Sequence, residues 1–219
     1  NIKEIHIEPT SVCNAACPMC ARNINGKGLN PYITLKSLPV AWFRENITPE
    51  QVRKLDKIFF CGNVGDPASA PELLEIIQYF KKHNPNIVVG LNSNAGLKTA
   101  MWWNKLGHLL DGPLDYCIFS IDGTEDTNHL YRRNVRWQKV MEIAKKMRFT
   151  WFRSKETDRW DTYVSNLGIF PANKYQPPSY GRTIDCEKDR DASIYLDYTG
   201  KYWPCCHMAE AYLNKIGIE

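Results

Sequence analysis

"SVCNAACPMCARN" (residues 11–23) places Cys13, Cys17 and Cys20 within eight positions, at a spacing of C-x3-C-x2-C. Both intervals suit a zinc site, but the fourth ligand such a site needs does not follow nearby. The triplet comes directly after "IHIE", a short apolar run that reads as a strand. It therefore sits on a loop at a strand's C-terminal end, where parallel α/β folds gather their ligands.

The chain has 219 residues, of which 43% are hydrophobic and 24% charged, enough for one large packed domain or a domain with a small appendage. A net charge of +4 is mild and argues for no nucleic-acid partner, although Lys145–Arg159 is locally basic. No apolar run approaches the ~20 residues of a membrane span. No segment near Asn1 resembles a signal peptide, so a cytoplasmic protein with no membrane partner is expected. Eight cysteines in such a chain read as metal ligands rather than disulfide staples. The chain begins at Asn1 rather than methionine and stops at "NKIGIE", as a trimmed or partial chain would.

Four runs read as buried strands: Ile5–Glu8, Lys57–Cys61, Ile87–Asn92 and Tyr116–Asp122, with Phe149–Arg153 a fifth candidate. Helical patterns lie between them. Thr48-Pro49-Glu50-Gln51 is a capping box leading a helix to about Leu55. Pro71 opens a second helix whose apolar face is Leu73, Leu74, Ile76, Ile77 and Phe80; Thr99–Leu110 and Val135–Met147 are the third and fourth. Strand and helix alternating in this way is the βαβ signature of a parallel α/β sheet. Residues 154–185, rich in Pro, Tyr, Asn and Asp, read as a long connecting loop. "SIYLDYTGKYWPCC" (193–206) then predicts a β-hairpin turning at Thr199-Gly200. The expected organisation is a core over 1–153, a connecting region over 154–185 and a small module over 186–219.

Iron–sulfur cubanes are normally held by four thiolates, so three protein ligands leave one iron open to an exchangeable group. A structural site closes its coordination shell, whereas an open position is what substrate chemistry needs. Cys13, Cys17 and Cys20, with Met19 in the hydrophobic slot, resemble the C-x3-C-x-φ-C loop of the radical S-adenosylmethionine (SAM) superfamily. The resemblance implies a partial (βα) barrel of about five to six parallel strands. It also implies a [4Fe–4S] cluster whose open iron is chelated by the amino and carboxylate groups of SAM. Reductive cleavage of SAM would then give a 5′-deoxyadenosyl radical that abstracts a substrate hydrogen.

Further segments extend the resemblance. "CGNVGDP" (61–67) is similar to the family's glycine-rich loop for the SAM amino group, which carries Gly62, Asn63, Gly65 and Asp66 over as cofactor-binding residues. "LNSNAG" (91–96) and "FSIDG" (119–123) resemble strand-end elements that aim Asn92 or Asn94, and Ser120 and Asp122, at SAM. Arg132 or Arg133 in "HLYRRN" is expected to pair with a carboxylate of SAM or substrate. Small polar residues that merely end strands, and a solvated arginine, are the plain alternatives.

Cys186, Cys205 and Cys206 flank the C-terminal hairpin and resemble the SPASM or twitch extensions of this superfamily over about 35 residues. That implies an auxiliary iron–sulfur cluster, common in enzymes acting on peptides and proteins, with His207 beside the pair as a possible stand-in ligand. Fewer cysteines are present than a full SPASM module carries, and a strand-five "GxIxGxxE" element is missing. The implied partners are a peptide or small-molecule substrate and a reductant such as flavodoxin or ferredoxin. The basic, aromatic stretch 148–160 is expected to border the substrate pocket or to be a solvated strand end. Cys61 and Cys117 read as small hydrophobes within strands. The competing expectation is a non-catalytic iron–sulfur protein for electron transfer or structure.

Overall fold

Four of the apolar runs become neighbouring strands of one sheet, and the C-terminal hairpin joins the same sheet. The computed structural model describes residues 2–24, 26–146 and 193–203. Its elements are β1 (Glu4–Ile7), β2 (Asn23–Ile24), β3 (Gly28–Leu29), α1 (Val40–Asn46), α2 (Pro49–Lys54), β4 (Lys57–Phe60), α3 (Leu73–His83) and β5 (Val88–Ser93). Then come α4 (Ala100–Leu109), β6 (Tyr116–Phe119), α5 (Asn128–Tyr131), α6 (Trp137–Lys146), β7 (Ser193–Leu196) and β8 (Tyr202–Trp203), with a 3₁₀ turn at Pro67–Ser69.

The main sheet runs β6-β5-β4-β1-β7-β8. All pairings are parallel except β7 with β8, so the chain is an α/β protein whose parallel strands form a partial barrel. β7 lies on the flank of β1 opposite β4, with Ile5 opposite Ile194 and Ile7 opposite Leu196. The hairpin thus continues the sheet of the core rather than forming a sheet of its own. Phe149–Arg153, the sequence's fifth strand candidate, lies outside the described residues, and β7 supplies the fifth parallel strand among those described.

Strand alternation sorts the residues into two faces. Ile5, Ile7, Ile58, Phe60, Val89 and Leu91 are buried beneath the helices. Against them α3 presses Leu73, Ile76, Ile77 and Phe80, and α4 presses Trp103 and Leu106, all without exposed surface. The Trp103 indole also donates to the Leu97 carbonyl at 2.9 Å and meets Phe119 edge-on. The other face carries His6 between the rings of Phe59 and Tyr195, at 4.9 and 4.8 Å. Beside it Lys57 pairs with Glu4 at 3.3 Å and lies over the Phe59 and Tyr116 rings.

Several features were not expected from the sequence. Helix α1 starts after Pro39 with no side-chain cap and no acidic residue in its first turn, so it carries none of the usual start signals. The β2–β3 hairpin is two residues per strand, too short to show a period. Strand β6 ends at Phe119, short of the predicted Asp122, because the Asp122 N–H is taken by the Asn128 side chain at 3.0 Å rather than by a sheet partner. The capping box at Thr48 forms as expected, Thr48 accepting from Gln51 N–H and Gln51 accepting from Thr48 N–H.

Just beyond β1, fully buried Glu8 joins three parts of the chain. One carboxylate oxygen accepts from the N–H of Val64 at 2.8 Å and of Gly65 at 3.0 Å, and the other from the Tyr195 hydroxyl. Burial raises the Glu8 carboxyl to about 7 against the pull of those hydrogen bonds, and nearby Asp197 adds to the rise. Tyr195, Asp197 and Tyr198, from β7 and the turn after it, are the titratable groups around it.

Two predictions follow from this packing. Trp103→Ala is expected to cost about 3–5 kcal/mol, against less than about 0.5 kcal/mol for Met101→Ala on the exposed side of the same helix. Urea unfolding followed by circular dichroism measures both. For Glu8, between the ordinary 4.5 and the folded value of about 7 the native chain holds a proton that the unfolded chain has released. Its contribution to stability is therefore present at the acid end and lost as pH rises through 7. Glu8→Gln should gain on the parent chain in urea midpoint from pH 5 to pH 8; a constant difference across that range contradicts the assignment.

Candidate functional site

The approach to Cys13 is pinned before the first cysteine is reached. Thr10 bridges to Ser37, with their hydroxyls 2.7 Å apart, and the Ser11 hydroxyl donates to Thr34 O at 2.8 Å while accepting from Lys36 N–H at 2.9 Å. Buried Arg22 reaches back to the Ser11 carbonyl at 2.8 Å. Within the loop Cys20 N–H donates to Cys17 O at 3.2 Å, and Ala16 N–H closes onto Arg133 O at 3.1 Å. Cys17 is buried, and Cys13 and Cys20 are partly exposed.

Each sulfur is met by a polar group from a different segment of the chain. Asn94, after β5, donates its amide to Cys13 Sγ at 3.5 Å and to Asn14 Oδ1 at 3.0 Å. Arg132, directly after α5, reaches Cys17 Sγ at 3.7 Å. The carbonyl of Asn63, after β4, accepts from Cys20 Sγ at 3.9 Å. Burial, helped by the charge of Asp66, pushes the Cys13 thiol up to about 12, and burial raises Cys20 as well. These desolvated thiols stay protonated until a cation displaces the protons. Among the described residues no group of three or more His, Cys, Asp or Glu side chains is arranged to hold a metal ion.

The glycine-rich loop lies where the sequence places it, directly after β4. Its glycines answer to the protein itself: a Cβ on Gly65 would come within 1.6 Å of the Thr10 carbonyl, and one on Gly62 within 2.6 Å of Glu8 Oε1. Asp66 turns inward and is almost fully buried. Its carboxylate accepts from Ala68 N–H, the Ser93 hydroxyl and Asn94 N–H at 2.7–2.9 Å, and Asp66 N–H donates to Val12 O. Asp66 thus ties three segments together, its carboxylate joining the glycine-rich loop to the end of β5 and its N–H joining it to the approach to Cys13. Asp122 pairs with Arg132, which joins these two predicted residues beside Cys17.

Asn92 sits at the end of β5 with a buried Oδ1 that has no hydrogen-bond partner. Ser120 follows β6, its N–H donating to Ser93 O at 2.8 Å. Met19, between Cys17 and Cys20 on the cysteine loop, is 86% exposed. Cys117 packs against the core, where burial raises its thiol, and Cys61 follows β4 partly buried. Cys186, Cys205, Cys206, His207 and the stretch 148–160 lie outside the described residues. Sequence reasoning passed over Glu8, Tyr195 and Asn14. The signal for Glu8 was an acidic residue at the end of an otherwise apolar strand, next to the cysteine loop.

Several solved structures share the fold, two of which follow. One is "Crystal structure of BtrN in complex with AdoMet and 2-DOIA", at a TM-score of 0.58 and 14% identity, covering 96% of this chain and 76% of that one. The other is "His6 tagged anSMEcpe with bound AdoMet", at 0.51 and 19%, covering 67% of this chain and only 40% of that one. No curated protein sequence matches the chain. The family model of the Radical SAM superfamily matches residues 7–150, a span that takes in the cysteine loop and every strand-end loop that touches it. A match over that much of the sequence makes the chain a member of the radical SAM superfamily of enzymes.

Proposed function

We propose that the chain binds a [4Fe–4S] cluster through Cys13, Cys17 and Cys20 and works on SAM at that site. The carrying observation is the contact of each sulfur with a polar group from a separate segment, the ends of β4 and β5 and the C-terminus of α5. When bound, the cluster would supply the electron that splits SAM to methionine and the 5′-deoxyadenosyl radical that takes a hydrogen atom from the substrate.

The residues fit such a group. The donor set is three thiols on one loop, a soft set suited to iron–sulfur ligation. The unpartnered Asn92 Oδ1 at the same edge asks for a donor, which the SAM amino group or ribose provides. In this reading Asn94 orients Cys13, and Arg132, held by Asp122, offsets charge on the Cys17 thiolate. Gly62, Asn63 and Gly65 present loop backbone to SAM, Asp66 fixes that loop, and Ser120 and Met19 border the cofactor.

Cys186, Cys205 and Cys206 are proposed ligands of an auxiliary cluster, on their resemblance to SPASM or twitch extensions. The same resemblance motivates a peptide or protein substrate. BtrN, whose structure holds 2-DOIA beside AdoMet, motivates a small molecule as the competing occupant. A flavodoxin or ferredoxin in the cytoplasm would supply electrons. Among the described residues no helix is long and apolar enough to cross a membrane.

Anaerobic reconstitution tests the reading. Iron with acid-labile sulfide should load, and SAM with a strong reductant should yield 5′-deoxyadenosine by chromatography. Cys13→Ala, Cys17→Ala or Cys20→Ala should abolish it. Zinc without sulfide overturns the cluster assignment. A loaded cluster that yields no more 5′-deoxyadenosine than Cys13→Ala returns the chain to a non-catalytic iron–sulfur role.

A further inference from the structure

The geometry points to Glu8 as the positioning residue of the cofactor loop, through which Tyr195 on β7 holds residues 62–65 in their binding shape; this rests on the function proposed above. The loop gives Glu8 two successive N–H groups, from Val64 and Gly65, and both go to one carboxylate oxygen at 2.8 and 3.0 Å. Two amides converging on one oxygen fix the direction of the peptide planes between them. They leave the Asn63 carbonyl, on the opposite side of the Val64 peptide plane, turned to Cys20 Sγ. The second carboxylate oxygen cannot swing away, because the Tyr195 hydroxyl donates to it. Tyr195 is fixed in turn by the pairing of its strand with β1 and by the edge of the His6 ring.

No other described side chain reaches those two amides. Asp66 governs the far end of the loop, through Ser93, Asn94 and Ala68. Gly62 lies so close that its Cβ would meet Glu8 Oε1 at 2.6 Å, so loop and carboxylate are packed as one unit. Glu8 touches none of the three cysteines in the hydrogen-bond network, and its removal is not expected to remove a cluster ligand. It acts on SAM through the loop, and it makes β7 part of the cofactor site.

The test uses the full chain with its cluster reconstituted, comparing Glu8→Ala, Glu8→Gln and Tyr195→Phe with the parent in iron and sulfide content, KM for SAM and kcat for 5′-deoxyadenosine release. Glu8→Ala should raise KM for SAM about tenfold or more at unchanged iron and sulfide content, with kcat changed less than KM. Glu8→Gln keeps an oxygen for both amides and should restore most of the affinity, and Tyr195→Phe should fall between. A KM unmoved in all three variants overturns the assignment. So does equal damage from Glu8→Gln and Glu8→Ala, or loss of cluster and kcat together at constant KM. If Glu8→Ala does not fold, the split between Glu8→Gln and Tyr195→Phe decides. A parent chain that loads its cluster but neither binds nor cleaves SAM overturns the proposed function first, and this role with it.

Discussion

The parallel pairing of β1 on both of its flanks is the constraint on which the rest of the molecule depends. With β4 on one side and β7 on the other, β1 has no free edge, and its register fixes Ile5 and Ile7 toward the helices. Because the neighbours are parallel, their C-terminal ends come out at the same edge of the sheet. The cysteine loop, the glycine-rich loop, and the segments after β5 and β6 therefore meet at that edge. A one-residue slip in any strand would turn its core residues outward and withdraw its strand-end loop from the cysteines.

How those loops stay together is a matter of satisfying buried polar groups, each costly if left alone. Asp66 and Glu8 divide the work. Asp66 ties the glycine-rich loop to the segment after β5, and Glu8 ties it to β1 and β7. Both carboxyls are raised by burial, so neither sits there for its charge alone. Each is kept by several geometrically defined hydrogen bonds, and that gives the loop one shape rather than many.

Much of this was legible in the residues. The short buried apolar runs gave the four strands, the Thr48 capping box gave α2, and the cysteine spacing marked the loop that the others surround. What was not legible depended on contacts distant in sequence. Tyr195 meets Glu8 across 187 positions, and Arg132 meets Cys17 across 115. No local pattern announces either pairing. Asp66 illustrates the same limit from the other side. An aspartate in a glycine loop reads as a ligand contact, yet its carboxylate is spent on three internal donors, which only the fold reveals.

The division of labour around the sulfurs has a consequence for how the proposed cluster would be tuned. Hydrogen bonds to sulfur and nearby net charge are two of the levers that set an iron–sulfur potential. Here the neutral amide of Asn94 faces Cys13 and the cation of Arg132 faces Cys17, while Cys20 meets a carbonyl. The three ligand positions thus meet unlike groups, with the direct guanidinium contact at Cys17. Asp122 moderates it by pairing with the same guanidinium, and Asn128 holds the Asp122 backbone in place. The chain after β6, not the cysteine loop itself, therefore sets the charge balance at the most buried of the three sulfurs.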